Sequence, residues 1–308
     1  MKRYVLALTF VVAAAPVHAQ TAPAADPHAG HAMDQQVPAA APAGPRNPNL
    51  PPTGDAPGDK NAVALEQLKS SPRKSEWIDI KGSNGTPIKS FVVYPERRDK
   101  ASVVVVIQEI FGLSDWIRGV TDQLAKEGFI AIAPDFMSGM GPNKGGSAEL
   151  GEQGSQREIG KLTDDDKVRI LNDVRAYALT IPSGNGKLGT VGFCWGGGTS
   201  FLYALKQPAL NAAVSYYGPM PADPAAYANA KAPVLGLYGG NDTRVNPNIE
   251  VAKTGMAQAK AVYEPHIFEG AGHGFLRQQN GNANAPGNMK ATEQAWPLTI
   301  EFLKKHTK

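Results

Sequence analysis

The chain of 308 residues holds a single cysteine, Cys194. A lone thiol excludes any disulfide within the chain. Histidine is scarce too, with six residues, and aromatic residues make up only 7%. The formal net charge is +3, and no basic stripe interleaved with aromatics appears, so nucleic-acid binding has no support. The apolar core within the first fifteen residues falls short of the roughly 20 residues that span a bilayer, and no other stretch reaches its length. No internal repeat is visible.

What is present begins with a leader-like start. Met1-Lys2-Arg3 is positive, Tyr4–Ala15 is apolar, and Val17-His18-Ala19 supplies small residues ahead of a cut. This pattern predicts a signal peptide over 1–19 and a periplasmic or secreted product. Gln20 rather than cysteine follows the cut, so a lipoprotein anchor is not supported. Residues 20–72 are rich in Ala and Pro and read as a disordered tether, with a short helix over Asn61–Lys69. In it, His28, His31 and Met33 lie close together. That cluster suits a soft or borderline metal such as copper, although a solvated linker is the plainer reading. The remaining 73–308 suits one α/β domain. After a pair of strands at 76–80 and 88–94, strands near Ser102, Phe129, Leu188, Ala212, Pro233 and Val262 alternate with helical stretches. These helices are expected at 115–127, 164–179, 199–206, 249–260 and 291–304. Repeated strand–helix units predict a mostly parallel central sheet flanked by helices on both faces.

Cys194 occupies the centre of Gly192-Phe193-Cys194-Trp195-Gly196-Gly197-Gly198, between an apolar strand-like run and a helix-like run. A strand, a tight glycine turn and a helix lift the middle residue out of a sheet, as in a nucleophile elbow. The helix N-terminus also favours thiolate over thiol. A lone cysteine is otherwise a small buried hydrophobe, and such a turn can also cradle phosphate. The partners decide between these readings. Asp242 follows the buried run Ala232–Tyr238, and His273 lies in the glycine-flanked loop Gly270-Ala271-Gly272-His273-Gly274 after the run Ala261–Phe268. Taken singly, Asp242 reads as a turn residue and His273 as a solvated loop histidine. Together they give the order nucleophile, acid, histidine, each after a strand. His273 is also the best base by elimination. His28 and His31 fall in the tether, His266 inside a strand and His306 near the end.

The stretches Gln108-Glu109-Ile110-Phe111-Gly112, Ala133-Pro134-Asp135, the cysteine elbow, Ser215-Tyr216-Tyr217-Gly218, Gly239-Gly240-Asn241-Asp242 and Gly272-His273-Gly274-Phe275 resemble the dienelactone hydrolase (carboxymethylenebutenolidase) family. The resemblance runs from about Trp77 to Lys308. It implies an α/β-hydrolase fold and a Cys-His-Asp triad opening a lactone ester, carried here by Cys194, His273 and Asp242. It implies that Glu109 contacts the cysteine and helps form the thiolate when substrate arrives; alone, Glu109 reads equally as a salt-bridged rim residue. The backbone N–H groups of Ile110 and Trp195 resemble the oxyanion donors. Arg157 and Arg277 resemble the arginines that hold a substrate carboxylate, with Tyr217 beside them as a substrate-binding residue. Surface solvation is the alternative for each arginine. Lys161 departs from the family, where an aromatic lid residue is expected. The Gly-rich segment Met137–Gly160 reads as an irregular, mobile lid.

The reading is therefore a hydrolase of a small, anionic lactone or carboxylic ester that needs no cofactor and no metal. A general short-chain carboxylesterase or thioesterase uses the same triad on another substrate. A non-catalytic metal-binding periplasmic protein is the reading from another class.

Overall fold

The computed structural model describes residues 47–54, 61–279 and 285–308. The expected signal peptide and the His28/His31/Met33 cluster lie outside the described residues. Among the described residues, eight strands form one sheet. They are β1 (Ser75–Ile80), β2 (Ile88–Val93), β3 (Ala101–Ile107), β4 (Ile130–Pro134), β5 (Gly184–Phe193), β6 (Ala212–Tyr216), β7 (Val234–Gly239) and β8 (Tyr263–Phe268). Their order is β1-β2-β4-β3-β5-β6-β7-β8. β1, β2 and β4 pair antiparallel, and every pairing from β4 through β3 to β8 is parallel.

The run Val103–Ile107 shows why the sheet lies between two helical layers. Successive side chains of a strand point to opposite faces. Val103, Val105 and Ile107 join one buried cluster, with Val104 and Val106 in the other. On the first face pack α4 (Asp164–Ala178), α5 (Trp195–Lys206) and α6 (Ile249–Gln258). On the second pack α2 (Asp115–Lys126) and α7 (Ala285–His306). A strand buried on both faces must be apolar throughout, and this one is.

Two expectations are corrected. Met137–Gly160 is not irregular, because α3 (Ser147–Glu158) forms within it. Glu149 accepts from the Gly146 N–H at 2.6 Å, and the Asp135 carboxylate accepts from the Ser147 N–H at 2.7 Å, so the helix start is capped. Gly151, at φ +64°, breaks the helix midway, which is the irregularity the glycines announced. The segment 20–72 is also not wholly a loose tether. Residues 47–54 lie against the domain with Leu50 buried, and α1 (Ala62–Ser70) packs on α2. α1 matches the helix expected over 61–69. Its Gln67 donates to the Gly119 carbonyl at 2.9 Å.

α5 starts at Trp195, four residues before the expected Thr199, because the elbow glycines are themselves helical. Glycine is needed there for closeness. A Cβ on Gly196 would stand 2.3 Å from the Gln108 carbonyl oxygen, and one on Gly197 would stand 2.5 Å from that of Tyr216. Gly196→Ala is therefore expected to force α5 away from β3, at a cost of about 1–3 kcal/mol. Urea unfolding of the two proteins measures the difference.

Candidate active site

The ends of β3, β5, β6 and β7 and the loop after β8 converge on Cys194. In an open parallel sheet this carboxyl edge is where side chains from several strands meet. Cys194 has φ +54° and ψ −115°, a conformation that costs a non-glycine residue of order 1–3 kcal/mol. The strained turn aims the side chain at the loop after β8, with only 5% of the residue exposed. The Cys194 N–H donates to the Tyr216 carbonyl at 3.0 Å, which ties the turn to β6.

His273 reaches the sulfur from the other side. Its Nε2 is 3.2 Å from Cys194 Sγ and its Nδ1 is 2.6 Å from Asp242 Oδ2. The other Asp242 oxygen accepts from the Val245 N–H at 3.3 Å, which fixes the carboxylate's rotation. The histidine loop is held from α7. Buried Asn288 accepts from the Gly272 N–H at 2.8 Å and donates to the Gln278 carbonyl at 2.5 Å, bracketing His273 from both sides. The three residues expected from chain order thus stand in one line of contact.

The electrostatics follow from that line. Burial disfavours the imidazolium, but hydrogen bonds to Asp242 and Cys194 outweigh it, and His273 is pushed up to about 9. Asp242 is lowered: burial opposes the shift, and the hydrogen bond from His273 overcomes it.

Glu109 is 4% exposed at the end of β3, with Oε2 2.9 Å from Arg277 Nε. The contact is an ion pair whose N–H is not directed along it, since Arg277 Nε has no aligned hydrogen bond. The Arg277 guanidinium also stacks over the Phe111 ring at 4.5 Å and donates from Nη1 to the Gly54 carbonyl at 3.2 Å. Tyr217 is fully buried at φ +41°. Its ring stands 5.2 Å from that of His273 and 5.4 Å from that of Phe275. Its hydroxyl has no hydrogen-bond partner among the described residues. Burial first, and then the negative charge of Glu109, hold that hydroxyl well above the ordinary tyrosine value. Ile110 is buried just past β3, and Trp195 is the first residue of α5, its ring edge-on to Phe136 at 5.3 Å. Arg157 stands apart from this group, solvent-exposed in the last turn of α3.

Sequence reasoning missed two neighbours. Arg244, two residues after Asp242, brings Nη2 to 3.1 Å from His273 Nε2 and 3.4 Å from Nδ1. Near-equal distances to both ring nitrogens place the guanidinium over the imidazole face. Its closeness to Asp242 in the chain was the available signal. The second neighbour, Thr53-Gly54, carried no signal, because it sits inside the Pro-rich stretch. Among the described residues, no cluster of three or more His, Cys, Asp or Glu is placed to hold a metal, and no helix is long and apolar enough to cross a membrane.

A parallel sheet between helical layers, with a cysteine on a strained turn and a histidine and an aspartate after later strands, defines an α/β-hydrolase. Comparison with known proteins narrows the class. The model of the dienelactone hydrolase family matches residues 88–307. A protein of Salmonella typhimurium named "Putative carboxymethylenebutenolidase" is 33% identical over 240 residues, covering 73% of this chain and 85% of its own. A protein of the same name from Synechocystis is 33% identical over 252 residues, covering 76% and 98%. The crystal structure of a "Putative Dienelactone Hydrolase" from Klebsiella pneumoniae superposes with a TM-score of 0.66 at 26% identity, covering 75% of this chain and 98% of that one. The chain belongs to the dienelactone hydrolase family, and is thereby a hydrolase.

The raised His273 makes a stability prediction with a definite sign. A raised group contributes fully below its unfolded value, about 6.5, and its contribution is lost as pH rises through the folded value. The loss runs from about pH 6.5 up through about 9. Relative to His273→Ala, the wild type is expected to keep a larger stability margin at pH 6 than at pH 10, read by urea unfolding at both.

Proposed function

We propose that the protein cleaves a small carboxylic ester or lactone through a covalent thioester on Cys194. The observation that carries this reading is the Sγ–Nε2 contact of 3.2 Å continued by the Nδ1–carboxylate contact of 2.6 Å. A histidine so held has the tautomer and orientation a general base requires. His273 is pushed up to about 9, basic enough to take the Cys194 proton for the attack.

The Cys194 thiolate attacks the carbonyl carbon and the carbonyl electrons move onto oxygen. The N–H groups of Ile110 and Trp195 are assigned to that oxyanion. The contact of Gly196 with the end of β3 supports this, since it brings the start of α5 against the segment that leads to Ile110. Such donors are the largest single catalytic contribution in acyl transfer, each worth roughly 10²–10³ in rate. When the tetrahedral species collapses, the C–O bond breaks. The leaving oxygen takes the proton from His273, at once or, when it departs as a ring enolate, before water enters. Neutral His273 then removes a proton from water as the water attacks the thioester. The acid is released, and sulfur and imidazole return to their starting charges.

Arg277 faces this centre with its charge only partly met by Glu109, so it is assigned to a substrate carboxylate. Tyr217 offers its unpaired hydroxyl to the same ligand. Arg157 is assigned a secondary place at most, because it is exposed, whereas Arg277 is half-buried against Glu109. Arg244, over the imidazole, is a nearer second cation. The start Met1–Ala19 supports a periplasmic or secreted location.

Cys194→Ala is expected to lower ester turnover by about 10³-fold or more while leaving the unfolding transition in place. Retained turnover in that folded variant defeats the mechanism. Arg277→Ala is expected to raise KM about tenfold for esters bearing a free carboxylate, with little change for neutral esters of equal size. Steady-state kinetics on matched ester pairs decides it, and equal losses on both esters count against a carboxylate clamp.

A further inference from the structure

Arg277 is held by a segment that lies outside the family match. The match begins at residue 88. Residues 47–54 precede it, and the Pro51 and Gly54 carbonyls and the Thr53 hydroxyl meet residues 277–279. Gly54 and Arg277 exchange two hydrogen bonds. The Gly54 N–H donates to the Arg277 carbonyl at 3.0 Å, and Arg277 Nη1 donates to the Gly54 carbonyl at 3.2 Å. The Thr53 hydroxyl donates to the same Arg277 carbonyl at 3.1 Å. Two residues further on, Gln279 Nε2 donates to the Pro51 carbonyl at 3.0 Å. The far side of the segment is anchored to α2. Trp116 Nε1 donates to the Pro52 carbonyl at 2.7 Å, and Lys126 Nζ to the Pro48 carbonyl at 2.7 Å. Leu50 is buried in the cluster beneath.

The geometry points to residues 47–54 as a strap that positions the Arg277 guanidinium, and so sets the preference of the site for anionic over neutral substrates. An arginine has long, freely rotating torsions, and directing its fork at a carboxylate requires that freedom to be removed. Here the Glu109 carboxylate lies against Nε as an ion pair, the Gly54 carbonyl takes Nη1 and the Phe111 ring covers one face. The strap supplies one of these three restraints on the side chain, together with two hydrogen bonds to the Arg277 carbonyl. The residue at 54 must be small. A Cβ there would stand 2.8 Å from Arg277 Cγ and 2.8 Å from Cδ1 of the fully buried Trp116 ring. The indole cannot yield, so the arginine or the Gly54 backbone must, and either shift breaks their paired hydrogen bonds. Thr53 and Gly54 are positioning residues and touch no reacting atom.

The inference rests on Arg277 facing the substrate, as proposed above, and its test separates the two claims. The full-length chain and its Arg277→Ala, Gly54→Ala and Thr53→Val variants are compared in two ways. One is the ratio of KM for neutral and carboxylate-bearing esters. The other is the ratio of Cys194 alkylation rates by iodoacetate and iodoacetamide, which reads positive charge at the sulfur without turnover. Gly54→Ala is expected to move both ratios most of the way to those of Arg277→Ala, with kcat for neutral esters within about twofold of wild type, and Thr53→Val to move them part of the way. Wild-type ratios in folded Gly54→Ala, or equal losses on both esters, overturn the strap. Where Gly54→Ala does not fold, Thr53→Val decides on the same ratios. If Arg277→Ala itself leaves both ratios unchanged, the carboxylate clamp fails and the strap's role in selectivity falls with it.

Discussion

The approach of α5 to the ends of β3 and β6 is the constraint on which the site depends. It forces glycine at 196 and 197, where a methyl group would meet backbone carbonyls. It also forces Cys194 into a positive-φ turn. That turn is what presents the sulfur to His273 rather than into the sheet. The strain is tolerated because the surrounding elements are packed on both faces of the sheet and hold the backbone in place. A looser contact would relax the turn and move the sulfur away from the imidazole.

Much of this was legible in the residues themselves. Strand positions followed from apolar runs such as Val103–Ile107. A short run this rich in β-branched residues reads as a strand buried on both faces even though it carries no alternation. The contact of Cys194, His273 and Asp242 was legible because each punctuates a strand end and their chain order matches a known arrangement. Helix boundaries were less legible at the elbow, since glycine opposes a helix by propensity while close packing demands it. The helix α3 was hidden for the same reason. Its glycines suggested a loop, and the Asp135 carboxylate that caps it lies twelve residues away from Ser147.

The cationic side of the site was legible in type but not in arrangement. Arg277 stood at a readable spacing from His273, yet its partners come from far along the chain. Glu109 precedes it by more than half of the domain, and Gly54 belongs to a stretch whose composition argued for disorder. Pro and Gly there serve a different end. A segment without regular structure leaves its carbonyls unpaired, and Pro48, Pro51, Pro52 and Gly54 each offer one to a side chain of the domain. Composition alone does not distinguish a loose linker from an extended segment whose carbonyls are used by its neighbours.

The solitary sulfur has a chemical consequence of its own. A thiolate oxidised to sulfenic acid is ordinarily rescued by condensing with a neighbouring thiol. This chain offers no second thiol. Recovery must therefore come from an external reductant, and without one a further equivalent of peroxide carries Cys194 to the sulfinate, which thiols do not reduce.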